Sequence, residues 1–403
     1  MEEKSLFTLP KEIEELKVLV RNFAQNHVKP IVRELDQAPA DDFNWKIVRE
    51  GAKLGLHRLP IPKEYGGLGY GILGTSVAME ELAAVDAGTA LIFGATMLGQ
   101  APILLSADRE LQNRFLPLFS SDEPVLASNA ITEPDAGCDL LIPENAKYAM
   151  NVLSARKEGN EYVINGVKKY ITNARVAKFA CVYANLEDYV GAEGLTCFVI
   201  PLDTDGVTFN GIADKMGYRS CLGTEIVFNN VRVPAENIVG GEGNGMLISI
   251  QQMNMARGTV AAISTGIARG AFELATEWAG ERIQGGKKLY EHQFTARKLA
   301  EMATKIEASR LLYLKASFEA DNSLPAPVFE PAVAKLYADR IAIEVAEEAM
   351  SVIGARGYIR DHHLEKYMRE ALGARIYEGT PEVLALAITD FLYQEDKIEE
   401  AVW

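Results

Sequence analysis

Cysteine is scarce: four residues in 403, Cys138, Cys181, Cys197 and Cys221, none of them in a CxxC pair. So thin a spread argues against a disulfide framework or a thiolate metal site and points to a reducing, cytoplasmic compartment. Histidine is nearly as rare, with five residues, none at the i, i+4 spacing of a helical metal site. His362 and His363 are adjacent and on a helix point apart, as surface residues at a helix start do. No apolar run approaches the roughly 20 residues needed to span a membrane. The start, Met1-Glu2-Glu3-Lys4, lacks the basic and apolar blocks of a signal peptide. Positive charge is also short. Forty-one Lys and Arg against 56 Asp and Glu leave a net charge of -15. That balance argues against nucleic acid, whose binding rests on cations neutralising phosphates. An anionic ligand would need local positive groups.

What is present is an ordinary globular composition, 48% hydrophobic and 24% charged, over a length that suits two or three domains. Residues 1–124 read as helical. Ile13, Leu16, Val20 and Phe23 recur at spacings of three and four. Further helices are expected near 43–55, 74–87, 89–104 and 107–119. Pro60 to Gly69 is a loop by its proline and glycine content. Gly69 to Gly74 matches GxGxxG by letter, but no strand precedes it, so it reads as a connector. Residues 125–240 change period. Glu161–Ile164 and Val167–Ile171 flank Asn165-Gly166, a hairpin signal. Strands are expected at Phe179–Tyr183, Leu195–Pro201 and Val207–Phe209, the last after an Asp203–Gly206 turn. Two more, Glu225–Phe228 and Val231–Val233, flank Asn229-Asn230. With no intervening helices this is an antiparallel β domain. Residues 241–403 turn helical again. Leu299, Met302, Ala303, Ile306 and Tyr313 mark one face; Val333, Leu336, Ile341, Val345 and Val352 mark another. Four or five long helices here make a bundle. The fold class is α+β in the order helical, β, helical.

Three stretches carry polar groups suited to chemistry. Arg375-Ile376-Tyr377-Glu378-Gly379-Thr380 places a carboxylate on a turn between helices, with Gly379 free to adopt conformations closed to other residues. Thr380 and Pro381 have the form of an N-cap and a first helical residue. Ile131 to Asp139 contains a turn enforced by Pro134 and Gly137, which exposes backbone N–H groups beside the Thr132 hydroxyl. Tyr170-Ile171-Thr172-Asn173-Ala174 ends a strand with an aromatic ring, a hydroxyl and an amide. Each alone also reads as ordinary turn chemistry.

Together, and in this order, these stretches resemble the acyl-CoA dehydrogenase family over essentially the whole chain. The resemblance also rests on Pro62 to Gly67, Asp214-Lys215-Met216-Gly217, Arg257, Glu281-Arg282 with His292-Gln293, and Gly357-Tyr358. It implies an N-terminal helical domain, a middle β domain, a C-terminal four-helix bundle, a homotetramer and FAD. It implies that Ile131, Thr132, Gly137, Cys138, Tyr170, Ile171, Thr172, Thr380 and Glu382 contact the flavin. Arg282, Gln293, Ser351, Gly354 and Ala355 would reach the FAD of a neighbouring subunit. Cys138, Asn254, Arg257 and Gly379 would face the acyl-CoA substrate. Glu378 matches the base that removes the Cα proton while FAD accepts the Cβ hydride, and electrons then pass to an electron-transfer flavoprotein. Some branches carry the base just before the Arg257 position; Ala256 cannot serve.

The chain departs from the family pattern in places. Cys138 replaces a usual Ser, Gly285 an aromatic, Ser351 a Gln and Asn254 an acidic residue. Gly354-Ala355-Arg356-Gly357 replaces Gly-Gly-x-Gly. Small residues at 88–100, Gly88, Thr89, Gly94, Ala95, Thr96 and Gly99, fit either a wide pocket for a branched, cyclic or aromatic acyl chain or close helix packing. An acyl-CoA oxidase, an enoyl-CoA reductase and a non-catalytic nucleic-acid-binding homologue are the competing readings.

Overall fold

The computed structural model describes residues 8–394 apart from 143–144, 146–147, 149–151, 188 and 190. Among the described residues, six α-helices come first: α1 (Lys11–Phe23), α2 (Val32–Gln37), α3 (Trp45–Lys53), α4 (Gly71–Ala83), α5 (Ala87–Leu105) and α6 (Arg109–Phe115). Ile13, Leu16, Val20 and Phe23 are buried along α1, as their spacing requires. The Gly69–Gly74 stretch, expected as a connector, is a loop only at Gly69 and Tyr70; Gly71–Gly74 already form the first turn of α4. The first N–H groups of α4, on Ile72 and Leu73, are taken by the Asp321 carboxylate at 2.7 and 2.8 Å. That helix start therefore closes on the bundle and not on a phosphate. Helix α5 corrects one expectation. It is long and apolar enough to cross a membrane by length and composition, but 78% of its apolar window is buried inside the fold.

The middle region holds β1 (Ala127–Ala130), β2 (Ser154–Glu158), β3 (Glu161–Thr172), β4 (Phe179–Leu186), β5 (Leu195–Pro201), β6 (Val207–Ile212), β7 (Gly223–Pro234) and β8 (Ile238–Val239). They form one sheet in the order β6-β7-β3-β2-β4-β5-β8, with β1 beside β4. The sheet is mixed rather than wholly antiparallel. β1 and β2 lie along the same edge of β4, one after the other, and both run parallel to it. Asn165-Gly166 is not a hairpin turn. β3 runs straight through it as a bulge, and the β2–β3 turn falls at Gly159-Asn160. The second asparagine pair, Asn229-Asn230, lies opposite within continuous β7. The Asn230 N–H donates to Asn165 Oδ1 at 2.7 Å, so the two irregularities satisfy each other. β4 and β5 are apolar on both faces. Ala180, Val182 and Phe198 pack within the domain, while Phe179, Cys181 and Val199 pack against Ile103 and Phe115 of the N-terminal helices.

The C-terminal region contains α7 (Gly245–Glu281), α8 (Gln293–Asn322), α9 (Phe329–Ile353), α10 (Leu364–Ala374) and α11 (Pro381–Gln394), with a small hairpin, β9 (Ile283–Gln284) and β10 (Lys287–Lys288), after α7. Three helices are long and two short. α7 is central, packing on α4, α5, α8, α9 and α10. The close α4–α7 approach needs glycine: a Cβ at Gly266 would lie 2.6 Å from the Glu80 carbonyl oxygen. Ion pairs tie α4 to both α7 and α8. Arg269 holds Glu81 at 2.8 Å, and Arg310 holds Glu80 at 2.7 Å. On α9 the buried face is Ala334, Ala338, Ile341, Ala342 and Val345, together with Lys335 and Asp339, while Val333 and Leu336 are only half-buried.

Candidate active site

Between α10 and α11 the chain makes the Arg375–Gly379 turn. Glu378 sits there in the left-handed region, φ 57°, followed by Gly379 at φ 98°. A non-glycine residue in that conformation costs of order 1–2 kcal/mol and persists only when its surroundings hold it. Three side chains do so. The Lys335 ammonium donates to the carbonyls of Ala374 (3.3 Å) and Gly379 (3.0 Å), which bracket the turn. Arg257 Nε donates to the Glu378 carbonyl at 3.3 Å. Tyr377 packs edge-on against Tyr218, ring centroids 5.8 Å apart.

The Glu378 side chain itself is left free. Its Oε2 is sealed from solvent and finds no hydrogen-bond partner among the described residues. Burial pushes its carboxyl above the ordinary carboxylate range, against the opposing charges of Arg257 and then Lys335. The Glu378 backbone N–H also takes no acceptor among the described residues. Beside it, Arg257 is buried and bonds Asn254 Oδ1 at 3.3 Å. Burial works against the guanidinium charge, which Glu378 and then Cys138 sustain. The structure therefore brings Glu378, Gly379, Arg257 and Asn254 to one place, from the turn and from α7, with Cys138 of the middle region near enough for its charge to act on Arg257.

The second turn lies at the mouth of the sheet. Glu133 and Ala136 close it, with Glu133 N–H donating to the Ala136 carbonyl at 2.9 Å. Its carboxylate accepts the N–H groups of Val152 (2.6 Å) and Leu153 (3.2 Å) and the ammonium of Lys168 (2.7 Å). Lys168 also reaches the Ile131 carbonyl at 2.8 Å, and Lys169 N–H donates to the Thr132 carbonyl at 2.9 Å. On β3, Tyr170 occupies a bulge at φ 61° with its ring 61% exposed, while Ile171 is buried and Thr172 half-buried. At Gly137 an added Cβ would meet nothing within 4 Å. An open edge with an exposed aromatic ring, a hydroxyl and free space beside the backbone fits a planar heteroaromatic cofactor such as a flavin.

Other expected contacts lie at the far end of the bundle. Arg282 caps α7, Gln293 opens α8, and both are exposed. Ser351 accepts from Lys298 at 2.5 Å; Gly354 ends α9 at φ 73°, followed by exposed Ala355. Arg356 stacks over Trp278, 4.6 Å from the ring centre, so this segment meets the end of α7. Thr380 precedes α11, and exposed Glu382 is lowered by its own N–H and by the Thr380 hydroxyl. Of the small residues on α5, Gly88 and Gly99 serve close packing: a Cβ would lie 2.1 Å from Ser220 Oγ and 2.6 Å from Ala127 Cβ. Gly94 keeps ordinary space, Ile263 being nearest at 3.7 Å.

Sequence reasoning missed the groups behind the two turns. Lys335, Asp339 and Lys168 are all buried; Glu133 and Asn173 stand inside stretches expected to carry chemistry, but their burial, with Asn173 bonding the Ile92 carbonyl at 2.8 Å, was not foreseen. A signal existed on α9. Lys335 and Asp339 stand four apart among alanines, a helical pair on the face that packs.

Comparison with known proteins agrees with this architecture. Family models for the acyl-CoA dehydrogenase N-terminal, middle and C-terminal domains match residues 10–123, 128–231 and 243–393. The chain is 35% identical to the short-chain-specific acyl-CoA dehydrogenase of Clostridium acetobutylicum, over 96% of this chain and 100% of that protein. It is 36% identical to the cyclohex-1-ene-1-carbonyl-CoA dehydrogenase of Geobacter metallireducens, over 91% of this chain and 93% of that one. Among solved structures, butyryl-CoA dehydrogenase of Megasphaera elsdenii superposes with a TM-score of 0.90 at 32% identity, covering 96% of this chain and 100% of that one. A chain from the structure described as the electron transferring flavoprotein of Acidaminococcus fermentans gives 0.91 at 31% identity, covering 97% and 100%. With the three-part fold and both turns in place, the chain belongs to the acyl-CoA dehydrogenase family of FAD-dependent oxidoreductases.

Proposed function

We propose that this enzyme introduces the α,β double bond of an acyl-CoA thioester, with Glu378 removing the Cα proton. The observation that carries the reading is the half-buried Glu378 side chain, its Oε2 sealed and unpartnered among the described residues, held on a strained turn. A base in a water-poor site with a raised proton affinity is suited to a weakly acidic C–H next to a carbonyl. The proton passes from Cα to the Glu378 carboxylate as the Cα–Cβ double bond forms. Bound FAD supplies the acceptor for the hydride lost from Cβ. The free Glu378 N–H is available to the thioester oxygen as charge builds there. Arg257 and Asn254 order the floor beneath the turn, and Cys138 and Gly379 complete the substrate side.

In this reading Ile131, Thr132, Gly137, Cys138, Tyr170, Ile171, Thr172, Thr380 and Glu382 hold the flavin. Arg282, Gln293, Ser351, Gly354 and Ala355 serve a neighbour's flavin in a homotetramer; their exposure in the single chain supports that role. Exposed Phe294 and Tyr358 at the same end, 85% and 80% accessible, supply apolar surface for such an assembly. The likeness to a chain from an electron transferring flavoprotein structure supports that protein as electron acceptor. Free cysteines support a cytoplasmic location. Space at Gly94 and the likeness to a cyclohexene-carbonyl-CoA enzyme favour a compact branched or cyclic acyl group.

Anaerobic mixing of the yellow enzyme with straight, branched, cyclic and dicarboxylic CoA thioesters tests this. At least one should bleach the flavin, and Glu378→Gln should bind that thioester without bleaching. Bleaching at the wild-type rate in Glu378→Gln would place the base elsewhere.

A further inference from the structure

Lys335 is fully buried, and its ammonium makes three hydrogen bonds. The Asp339 carboxylate lies at 2.6 Å, the Ala374 carbonyl at 3.3 Å and the Gly379 carbonyl at 3.0 Å. The Tyr377 ring centre is 5.9 Å away. Asp339 is held in turn by the Ser264 hydroxyl of α7 at 2.7 Å. Burying an ammonium and a carboxylate is costly and is tolerated when the geometry is good and the remaining hydrogen bonds are made. This pair meets that condition, and what it holds is specific. The two carbonyls belong to the residue that ends α10 and the residue that follows Glu378. One cation thus grips both ends of the turn.

We propose that Lys335, charge-balanced by Asp339, is a positioning residue that clamps the Ala374–Gly379 turn and keeps Glu378 in its left-handed conformation, aimed at the substrate carbon. The proposal rests on the reading of Glu378 as the base. Without the clamp, the turn relaxes toward the negative φ that glutamate prefers, and the carboxylate swings off its line. The groups facing Glu378 are Arg257 from α7, Lys335 from α9, Tyr377 from the turn and Tyr183 from β4. Arg257 and Lys335 are the cations among them, so removing Lys335 also raises the proton affinity of Glu378.

The test uses Lys335→Met/Asp339→Asn, which removes both charges and strands neither. The holoenzyme should stay yellow and bind the enoyl-CoA product with near wild-type affinity. Its kcat should fall by about 10- to 100-fold, the scale expected for a misplaced catalytic group, with KM little changed. Its crystal structure should show Glu378 at negative φ, while the acid limb of its kcat–pH profile should stay close to wild type because the two lost charges cancel. Wild-type kcat with Glu378 still in the left-handed region overturns the clamp. Lys335→Gln keeps a donor but drops the charge. If the double variant does not fold, this single variant, which leaves Asp339 unbalanced, should still lower kcat with KM little changed while the acid limb moves to higher pH, and wild-type kcat overturns the clamp equally. Glu378→Gln separates the two ideas. Turnover surviving in Glu378→Gln defeats the base assignment itself. A dead Glu378→Gln beside an unaffected Lys335 variant defeats only the clamp.

Discussion

The two turns of this enzyme carry the same residue type to opposite ends. Glu133 and Glu378 are both glutamates on tight turns, and each turn is gripped by a buried lysine. At Glu133 the carboxylate is itself the lysine's partner. It accepts Lys168 and two backbone N–H groups, and nothing remains for a ligand. At Glu378 the counter-charge comes from elsewhere. Asp339, one helical turn along α9, neutralises Lys335, and the turn contributes only carbonyls. The catalytic candidate is thereby spared from structural duty. Lys168 is pushed down to about 8 by burial, with Glu133 alone opposing. Binding energy is locked into one turn, while the other keeps a carboxylate short of partners and ready to take a proton.

The comparison breaks most sharply under paired amide substitutions. Glu378→Gln should lower turnover by about a thousand- to ten-thousand-fold, the reach of a general base. Its melting temperature should stay level or rise, because the buried carboxyl it replaces has no partner at Oε2. Glu133→Gln should do the reverse. It strands the Lys168 charge in a buried site and should cost about 3–5 kcal/mol of stability, read by denaturant unfolding, with flavin released early. Equal stability of the two variants would remove the distinction drawn between the turns. Gly379→Ala is a milder probe. At φ 98° an alanine is strained by about 1–2 kcal/mol, and its methyl would stand 3.5 Å from Arg257. Turnover should drop about tenfold with little change in stability elsewhere, measured as kcat against KM.

How far this could be read in advance differs between the turns for a physical reason. The order of the three regions follows from periodicity, and Thr380-Pro381 marked the start of α11 correctly because proline fits only a first turn. Glu378 stood out through its neighbours in sequence. The strain on Glu378 itself, and not only on Gly379, was invisible, since it is imposed by Lys335 from 43 positions earlier. Lys168 and Lys335 were passed over because a lysine in a strand or helix is ordinarily solvated, and burial of its charge depends on a partner that tertiary contact supplies. Asn165-Gly166 misled for a related reason. Local preference for a turn was overridden by Asn230 across the sheet, which converts it to a bulge. β1 and β2 escaped notice because each is short and polar or small, and both owe their pairing to β4.

A third carboxylate sharpens what an unpartnered oxygen means. Glu370, on α10, also leaves one oxygen without a partner among the described residues, and burial pushes it up to about 7 despite Lys366 at 2.6 Å. Yet it sits on regular helix, shares Lys366 with Asp86, and faces the seam of the three regions through Asp86 and Ser220. If strain and access, and not the free oxygen alone, mark a base, Glu370→Gln should keep turnover within a few-fold. Its effect belongs to stability. A carboxyl with a raised folded pKa holds its proton in the folded state while the unfolded chain has lost it. Stability then declines as pH rises from about 4.5 to 7, and the full contribution is present only below that window. Glutamine cannot ionise, so the variant should lose this slope. Its stability relative to wild type should climb across pH 4.5–7 by about 3 kcal/mol and stay level above. A parallel pair of stability curves would mean that Glu370 remains ionised beside Lys366 and that its free oxygen is solvated in the working enzyme.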